Sequence, residues 1–345
     1  MNRRFLFRVD AGPGIGLGHL QRCLALAERL VERGADATFL APAAGDVRER
    51  VEAAGCRLEP LDVDLAAAGG DRDLAQLMAR AKGHAADMLV VDSYAVSAAY
   101  LQALCAAGYR VVRLDDFGGE PVPAHIVINA GAHAAELSYR PAWSGTRLLL
   151  GPAFALLRSE FADLPNSAAS SDVREVLVAA GGADAQEVTA SLVEGLDRSA
   201  GEFSVHVLVG PFAASPSGVD AAAGRSRRTV RWSSVSAGIA ALMRGADLAI
   251  SAAGQTTYEL AACGTPTIAF QVANNQAPSL QALARAGIVK SAGDSRIPGL
   301  ADRVLAALDE LRLDRAERLR MGEAARRLVD GRGADRVADV LLAAA

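Results

Sequence analysis

The chain has 345 residues, 51% of them apolar, and a formal charge of −4. That length exceeds one hydrophobic core and suits two domains. An acidic balance, with a pI near 5.8, excludes the basic footprint of a nucleic-acid-binding protein, and no apolar run reaches the ~18 residues of a membrane-spanning helix. Cys23, Cys56, Cys105 and Cys263 are far apart without metal-like spacing, which reads as free thiols in a reducing compartment. The expectation is a cytoplasmic protein, monomeric or weakly dimeric, with no nucleic-acid or membrane partner.

In chain order, β-rich runs are predicted at FLFRVDA (from Phe5), ATFLAPA (from Ala37), CRLEPLD (from Cys56), DMLVVDS (from Asp87), RVVRLDD (from Arg110) and HIVINAG (from His125). Helices are predicted between most of them, over about Leu20–Arg33, Asp46–Ala54, Arg72–Lys82 and Ser97–Ala107. Runs apolar enough to be buried on both faces, joined by helical crossovers, imply a parallel, doubly wound sheet. The stretch ADLPNSAASSD has no periodicity and reads as a linker, placed at 161–173. The alternation then restarts with VREVLVAAGG, FSVHVLVG, TVRW, ADLAIS, TPTIAF and GIVKSAG as strands. Long helices near Leu300–Leu311, Asp314–Val329 and Ala334–Ala344 close the chain. The predicted fold class is α/β, with two Rossmann-like domains over 1–160 and 174–345 and the terminal helices able to pack back on the first.

The first strand runs into DAGPGIGLGHLQR, a glycine-rich turn that opens a helix and so resembles a phosphate cradle. The dinucleotide fingerprint fails in every register, because Leu17, His19 and Gln21 fall where its last glycine belongs. There is no GK[ST] sequence in the segment either. Gly16 and Gly18 remain as the phosphate-side glycines, with His19 at the first helical turn and Arg22 three residues on. Leu20, Cys23, Leu24, Ala27 and Val31 share one helical face and should be buried on the sheet. His19 then stands at the carboxyl end of the strands, where ligands bind in open α/β sheets. Its competing role is structural, a side chain that caps the loop.

The second half carries a fuller pattern, ADLAISAAGQTTYELAACGTPTIAF. A strand, a tight turn, a short helix stopped by Gly264 and another strand follow in order. Ala252, Ala253 and Gly254 are small enough for phosphates to approach the backbone, and the helix start offers N–H groups and positive potential. Glu259 has two readings: it lies one turn into that helix, near any ligand at the turn, and Thr256-x-x-Glu259 is also a capping-box spacing. Asn274, Asn275 and Gln276 end the next strand, and Gly181-Gly182 opens the half's first helix in the same way.

The ordered set RVDAGPGIGLGHLQRCLALA, LVVDSYAV, VVRLDDFG, LLLGPAFALLRSEF, VLVAAGGADA, ISAAGQTTYELAACGTPTIAF and ANNQ, spanning about Phe5 to Gln276, resembles the UDP-sugar hydrolases of pseudaminic acid biosynthesis. Those enzymes remove UDP from UDP-2,4-diacetamido-2,4,6-trideoxy-β-L-altropyranose and are relatives of GT-B glycosyltransferases of the MurG type. The resemblance implies a GT-B fold, two Rossmann-like domains facing across a cleft that holds the active site. It also implies that His19 is the catalytic base, activating a water that attacks the anomeric carbon with inversion and release of UDP. Gly254, Gln255, Thr256 and Glu259 would hold the diphosphate and ribose, with Ala253 and Gln276 beside them. Tyr94 and Asn275 would line the sugar and water site, and Asp10 would orient His19 or the sugar. The chain departs from the family pattern at Pro13-Gly14, Ser93, Ala252-Ala253 and Asn274. His84, His125, His133 and His206 lack ligand spacing, so a metal-independent enzyme without cofactor is expected. The alternative is a glycosyltransferase of the same fold, passing the sugar to an acceptor.

Overall fold

Short β-branched and leucine-rich runs alternate with amphipathic helices, and the chain folds accordingly into two parallel sheets. The structure is a computed structural model that describes residues 2–12, 15–43, 46–119, 121–141, 143–165, 170–181, 186–210, 217–234 and 238–344. Two compact units result, Met1–Ser159 with Arg332–Ala345, and Glu160–Gly331.

The first unit contains β1 (Arg4–Val9), α1 (Gly18–Glu32), β2 (Asp36–Ala41), α2 (Val47–Ala53), β3 (Arg57–Pro60), α3 (Asp71–Gly83), β4 (Met88–Asp92), α4 (Ala98–Ala106) and β5 (Arg110–Leu114). Four short strands follow: β6 (Pro121–Val122), β7 (Ile126–Asn129), β8 (Arg140–Pro141) and β9 (Arg147–Leu150). The main sheet is parallel with order β3-β2-β1-β4-β5-β7-β9, and β6 pairs β8 beside it. Strand β4 is buried at every residue, the pattern of a strand covered on both faces. Leu6, Leu89, Val91 and Val111 meet Leu77, Leu101 and Leu104 of α3 and α4 in one apolar cluster.

The second unit contains β10 (Glu175–Ala179), α5 (Gln186–Leu196), β11 (Ser204–Val209), α6 (Ser217–Arg225), β12 (Val230–Ser234), α7 (Ile239–Gly245) and β13 (Leu248–Ala252). It continues with α8 (Gln255–Cys263), β14 (Thr267–Gln271), α9 (Ala277–Arg285), β15 (Val289–Asp294), α10 (Leu300–Leu313) and α11 (Arg315–Leu328). Its sheet order is β12-β11-β10-β13-β14-β15, again parallel. The last helix, α12 (Gly333–Ala344), belongs to the first unit and packs on α1, with Arg33 paired to Asp335 at 2.7 Å.

The buried face of α1 differs in part from the expected one. Leu20, Cys23, Leu24 and Ala27 are buried as expected, but Val31 is half-exposed and Leu30 takes its place. Ala25 and Leu26 are buried too. The stretch expected as a linker is held along its described parts. Arg326 donates to the Leu164 and Pro165 carbonyls, and Arg318 to those of Ser170 and Ser171. None of the described helices is long and apolar enough to cross a membrane, and all four cysteines are free.

Candidate active site

Strand order reverses between β1 and β4, since β1 pairs β2 on one side and β4 on the other. Crossovers leave in opposite directions there and open a crevice at the carboxyl ends, the general ligand position of such sheets. Three sequence segments converge on it: the start of α1 and the ends of β4 and β5.

The first turn closes on itself. Gly16 donates its N–H to Gly12 O at 2.7 Å, Ile15 donates to the same oxygen at 3.1 Å, and Gly12 donates back to Gly16 O at 3.3 Å. Gly16 needs its glycine, with φ +83. Gly18 is exposed at the first position of α1, and Pro13 and Gly14 lie outside the described residues. With its amides turned inward, the loop positions the helix start, and the Gly16 N–H is engaged by Gly12 O.

His19 is the second residue of α1 and is 7% exposed. Its Nδ1 lies 2.7 Å from Oδ1 of Asp92, the last residue of β4. The ring therefore bonds across to a neighbouring strand. We assign the proton of this bond to Nδ1, because an ionised carboxylate only accepts, which leaves the Nε2 lone pair as the basic site. The nearby Nη2 of Arg22, 3.2 Å from Nδ1, is aimed at the same Asp92 oxygen, which it reaches at 2.6 Å.

The carboxylate that meets His19 is thus Asp92, and Asp10 has a different partner. Asp10 accepts from Arg8 Nη1 at 2.6 Å, and Arg8 is also gripped by Asp73. Both Arg8 and Asp10 are buried. Alternation along β1 explains the pairing: residues 8 and 10 point to the same face of the strand.

Arg22, expected to bind the nucleotide, is held within the chain. Its Nε and Nη2 form a fork on Asp92 at 2.7 and 2.6 Å, and its Nη1 reaches both oxygens of Asp116 at 2.9 and 3.1 Å. Burial opposes the charge on Asp92, yet Arg22 and then His19 hold its carboxyl well below the usual range. Burial likewise opposes ionisation of Asp116, and Arg22 keeps it ionised below its ordinary value. A bidentate guanidinium–carboxylate pair of this kind fixes orientation as well as charge.

Tyr94 follows this strand by two residues. Its hydroxyl donates to Asp116 Oδ2 at 2.6 Å, and its ring meets His19 edge-to-face with centroids 4.5 Å apart. Phe117 packs against the other edge of Tyr94 at 5.0 Å, and both aromatics are exposed. An apolar, partly open wall therefore borders the imidazole. Ser93, buried behind it, accepts from the Ala95 N–H, and its carbonyl takes Arg113 Nη1 at 2.7 Å. Sequence reasoning missed Asp92 and Asp116 as site residues. Each stands at or just past the end of an apolar strand, and an acid there is the available signal.

The second unit repeats the logic at its own order reversal, between β10 and β13. Gly254 is the N-cap of α8 and Gly264 its left-handed C-cap with φ 72, as the stop signal requires. Because α8 starts at Gln255, Thr256 is already inside the helix and Thr256–Glu259 is no capping box. Glu259 is buried, while Gln255 and Thr256 are half-buried at the helix start. Thr257 Oγ1 ties the turn back to Ala252 O at 2.9 Å.

Gly181, with φ +87, comes close to this turn: a Cβ on it would lie 3.5 Å from that of Ala252. Gly182 lies outside the described residues. Gln276 accepts the Val272 N–H at 2.8 Å, and its amide nitrogen would be 3.7 Å from a Cβ on Gly254. Buried Ala253, half-buried Gly254, Gln255, Thr256 and Gln276, and exposed Gly181 are therefore brought to one end of the second sheet. Asn275 is half-buried in the one-turn helix Asn274–Gln276, and Asn274 accepts from Arg296 at 2.7 Å. Among the described residues, no group of three or more His, Cys, Asp or Glu converges to hold a metal ion.

Two parallel doubly wound α/β units of this kind make up the GT-B fold. The chain is similar over 99% of its length to MurG of Acinetobacter baumannii, covering 99% of that chain with a TM-score of 0.71 at 16% identity. It is likewise similar to CalG4, the calicheamicin glycosyltransferase, over 99% of this chain and 98% of that one (TM-score 0.69, 16% identity). An S. aureus MnaA–UDP co-structure matches over 97% and 94% of the two chains (TM-score 0.68, 13% identity). At these identities the likeness establishes the fold. No family model matches the chain. A curated relative, an uncharacterized protein of Methanocaldococcus jannaschii, is 22% identical over 275 residues, which is 75% of this chain and 54% of that protein. The chain spans about half the length of the curated relative it matches.

Proposed function

We propose that the protein is a glycosyltransferase that takes its sugar from a nucleotide-diphosphate donor, with UDP as the carrier. The observation that carries this reading is the His19–Asp92 pair at the carboxyl end of the first sheet. In the reaction, an acceptor hydroxyl gives its proton to His19 Nε2 as its oxygen bonds to the anomeric carbon. The bond from that carbon to the diphosphate oxygen breaks, and its electron pair leaves with the nucleotide. Asp92 accepts the Nδ1 hydrogen bond throughout and stabilises the imidazolium that forms, a general-base arrangement worth typically 10²–10⁴-fold.

The leaving diphosphate needs charge stabilisation more than protonation. In the second unit, the start of α8 after Gly254 is suited to it, since a helix N-terminus contributes up to ~2 kcal/mol in a partly buried geometry. Gly181, Ala253, Gln255, Thr256, Glu259 and Gln276 complete the nucleotide side in this reading, with Asn275 toward the sugar. Tyr94 and Phe117 supply an apolar wall beside the base. The likeness in fold to CalG4, the calicheamicin glycosyltransferase, supports transfer.

A second reading keeps the same machinery with water as the acceptor. The GLGH-x-x-R turn together with the GQTTYELAACGTP block favours it, through the resemblance to UDP-sugar hydrolases. One experiment separates the two: follow UDP release from a panel of UDP-sugars with and without candidate acceptor alcohols. Release only with an acceptor supports transfer, and full release without one supports hydrolysis. Release that is unaffected in His19→Ala overturns both.

A further inference from the structure

The second unit has a cavity of about 460 Å³ at the opposite end of its sheet from the Gly254 turn. Asp247 and Pro266, which line it, immediately precede β13 and β14, so it sits at the amino ends of those strands. Helix α8 runs between the two places: it begins after Gly254, and its C-cap Gly264 lines the cavity.

The lining carries a net positive charge, with Arg327 paired to Glu323 at 3.6 Å. Arg244, Arg318, Arg326 and Arg327 stand against the carboxylates of Asp247 and Glu323. Arg318 is 1% exposed, and its Nη1 and Nη2 donate only to the carbonyls of Leu311, Arg312, Ser170 and Ser171, at 2.8 to 3.0 Å. Its Nε is buried without a partner. Arg326 also donates to carbonyls, those of Leu164 and Pro165. Arg244 has no hydrogen-bond or ion-pair partner among the described residues, and its Nε is sealed from water. The Asp247 carboxylate is engaged by the N–H groups of Arg174 and Glu175 at 2.8 and 3.0 Å.

Burying guanidinium groups against neutral acceptors is unfavourable unless an anion balances them. For Arg318 this shows as a downward shift from its ordinary value, with burial as the leading cause. The catalytic reading above uses none of these residues. We propose that this cavity is a binding site for a phosphate-bearing small molecule, gripped by the Arg244 fork inside the positive field of Arg318, Arg326 and Arg327. The planar guanidinium matches two phosphate oxygens at once, and the volume falls within the roughly 300–1,000 Å³ of small-ligand pockets.

The test titrates the full chain with inorganic phosphate at constant ionic strength. Saturable binding is expected, weakened tenfold or more in Arg244→Gln and several-fold in Arg327→Gln. Since Arg244 contacts no described partner, Arg244→Gln should keep its phosphate-free Tm, which separates lost binding from misfolding. UDP titration of that variant should match the native chain, and the phosphate result stands whether or not the other turn takes a nucleotide. Equal phosphate binding by both proteins overturns the site, as does heat that never saturates. Parallel loss of UDP binding would merge this cavity with the donor turn and equally end the proposal.

Discussion

The Nδ1 atom of His19 and the Oδ1 atom of Asp92 are 2.7 Å apart, joining the first turn of α1 to the end of β4. This one bond fixes which ring nitrogen is free and where it points. It also shares its carboxylate with Arg22, so the proposed base and the stability of the fold are coupled at a single side chain.

Replacing Asp92 should therefore do two things at once. In Asp92→Asn the amide leaves Nδ1 without its ionised acceptor, and turnover should fall roughly 10²–10⁴-fold. The buried Arg22 fork also loses a partner, a loss of about 3–5 kcal/mol. His19→Gln should match the activity loss with a far smaller change in stability. UDP-release rates and urea midpoints for both variants check this; an active Asp92→Asn would remove Asp92 from the mechanism.

Arg22 gives the opposite dissociation. Its guanidinium is shared between Asp92 and Asp116, so Arg22→Gln should be destabilised by about 3–5 kcal/mol. Affinity for UDP, measured below the melting transition, should be unchanged. A normal Tm with weakened UDP binding would restore Arg22 as a nucleotide ligand.

The same carboxylates predict an acid-side loss of stability. Burial opposes charge on Asp92 and Asp116, but Arg22 keeps both below their ordinary values when folded. Between those values and the unfolded carboxylate value of about 3.9, the unfolded chain binds more protons, so stability falls as pH drops. Their contribution is complete above about pH 5 and is lost progressively below about pH 4. Asp116→Asn should flatten part of that slope. Urea midpoints at several pH values between 3 and 7 measure it, and parallel curves for the two proteins would contradict the assignment.

Packing between α8 and α11 sets a contest of effects at Gly322. Alanine is favoured over glycine inside a helix by about 1 kcal/mol. Here a Cβ would collide with the Gly264 carbonyl oxygen, and overpacking of this kind costs about 1–3 kcal/mol. Because the obstacle is backbone, strain should win: Gly322→Ala is expected to be less stable by up to about 2 kcal/mol net. A thermal melt equal to or above the native one would show that the helices separate freely.

What the amino-acid sequence alone determined was local and periodic. Buried strands such as LVVD and LAIS, the helix stop at Gly264, and the glycine turns at strand ends are written in apolar spacing and backbone freedom, which act over a few residues. Those signals were sufficient for two doubly wound sheets and for placing His19 and Gly254 at carboxyl ends. Partner choice was decided only by tertiary structure. Asp10 directly follows β1 and Asp92 ends β4, yet Asp10 goes to Arg8 while Asp92 takes His19 and Arg22, because strand order and side-chain alternation set which face each acid meets. Likewise α1 packs on α12, more than three hundred residues away in the chain, with Arg33 paired to Asp335. Hydrogen bonds and ion pairs act through space at under 4 Å, a distance that spacing along one strand or helix cannot encode.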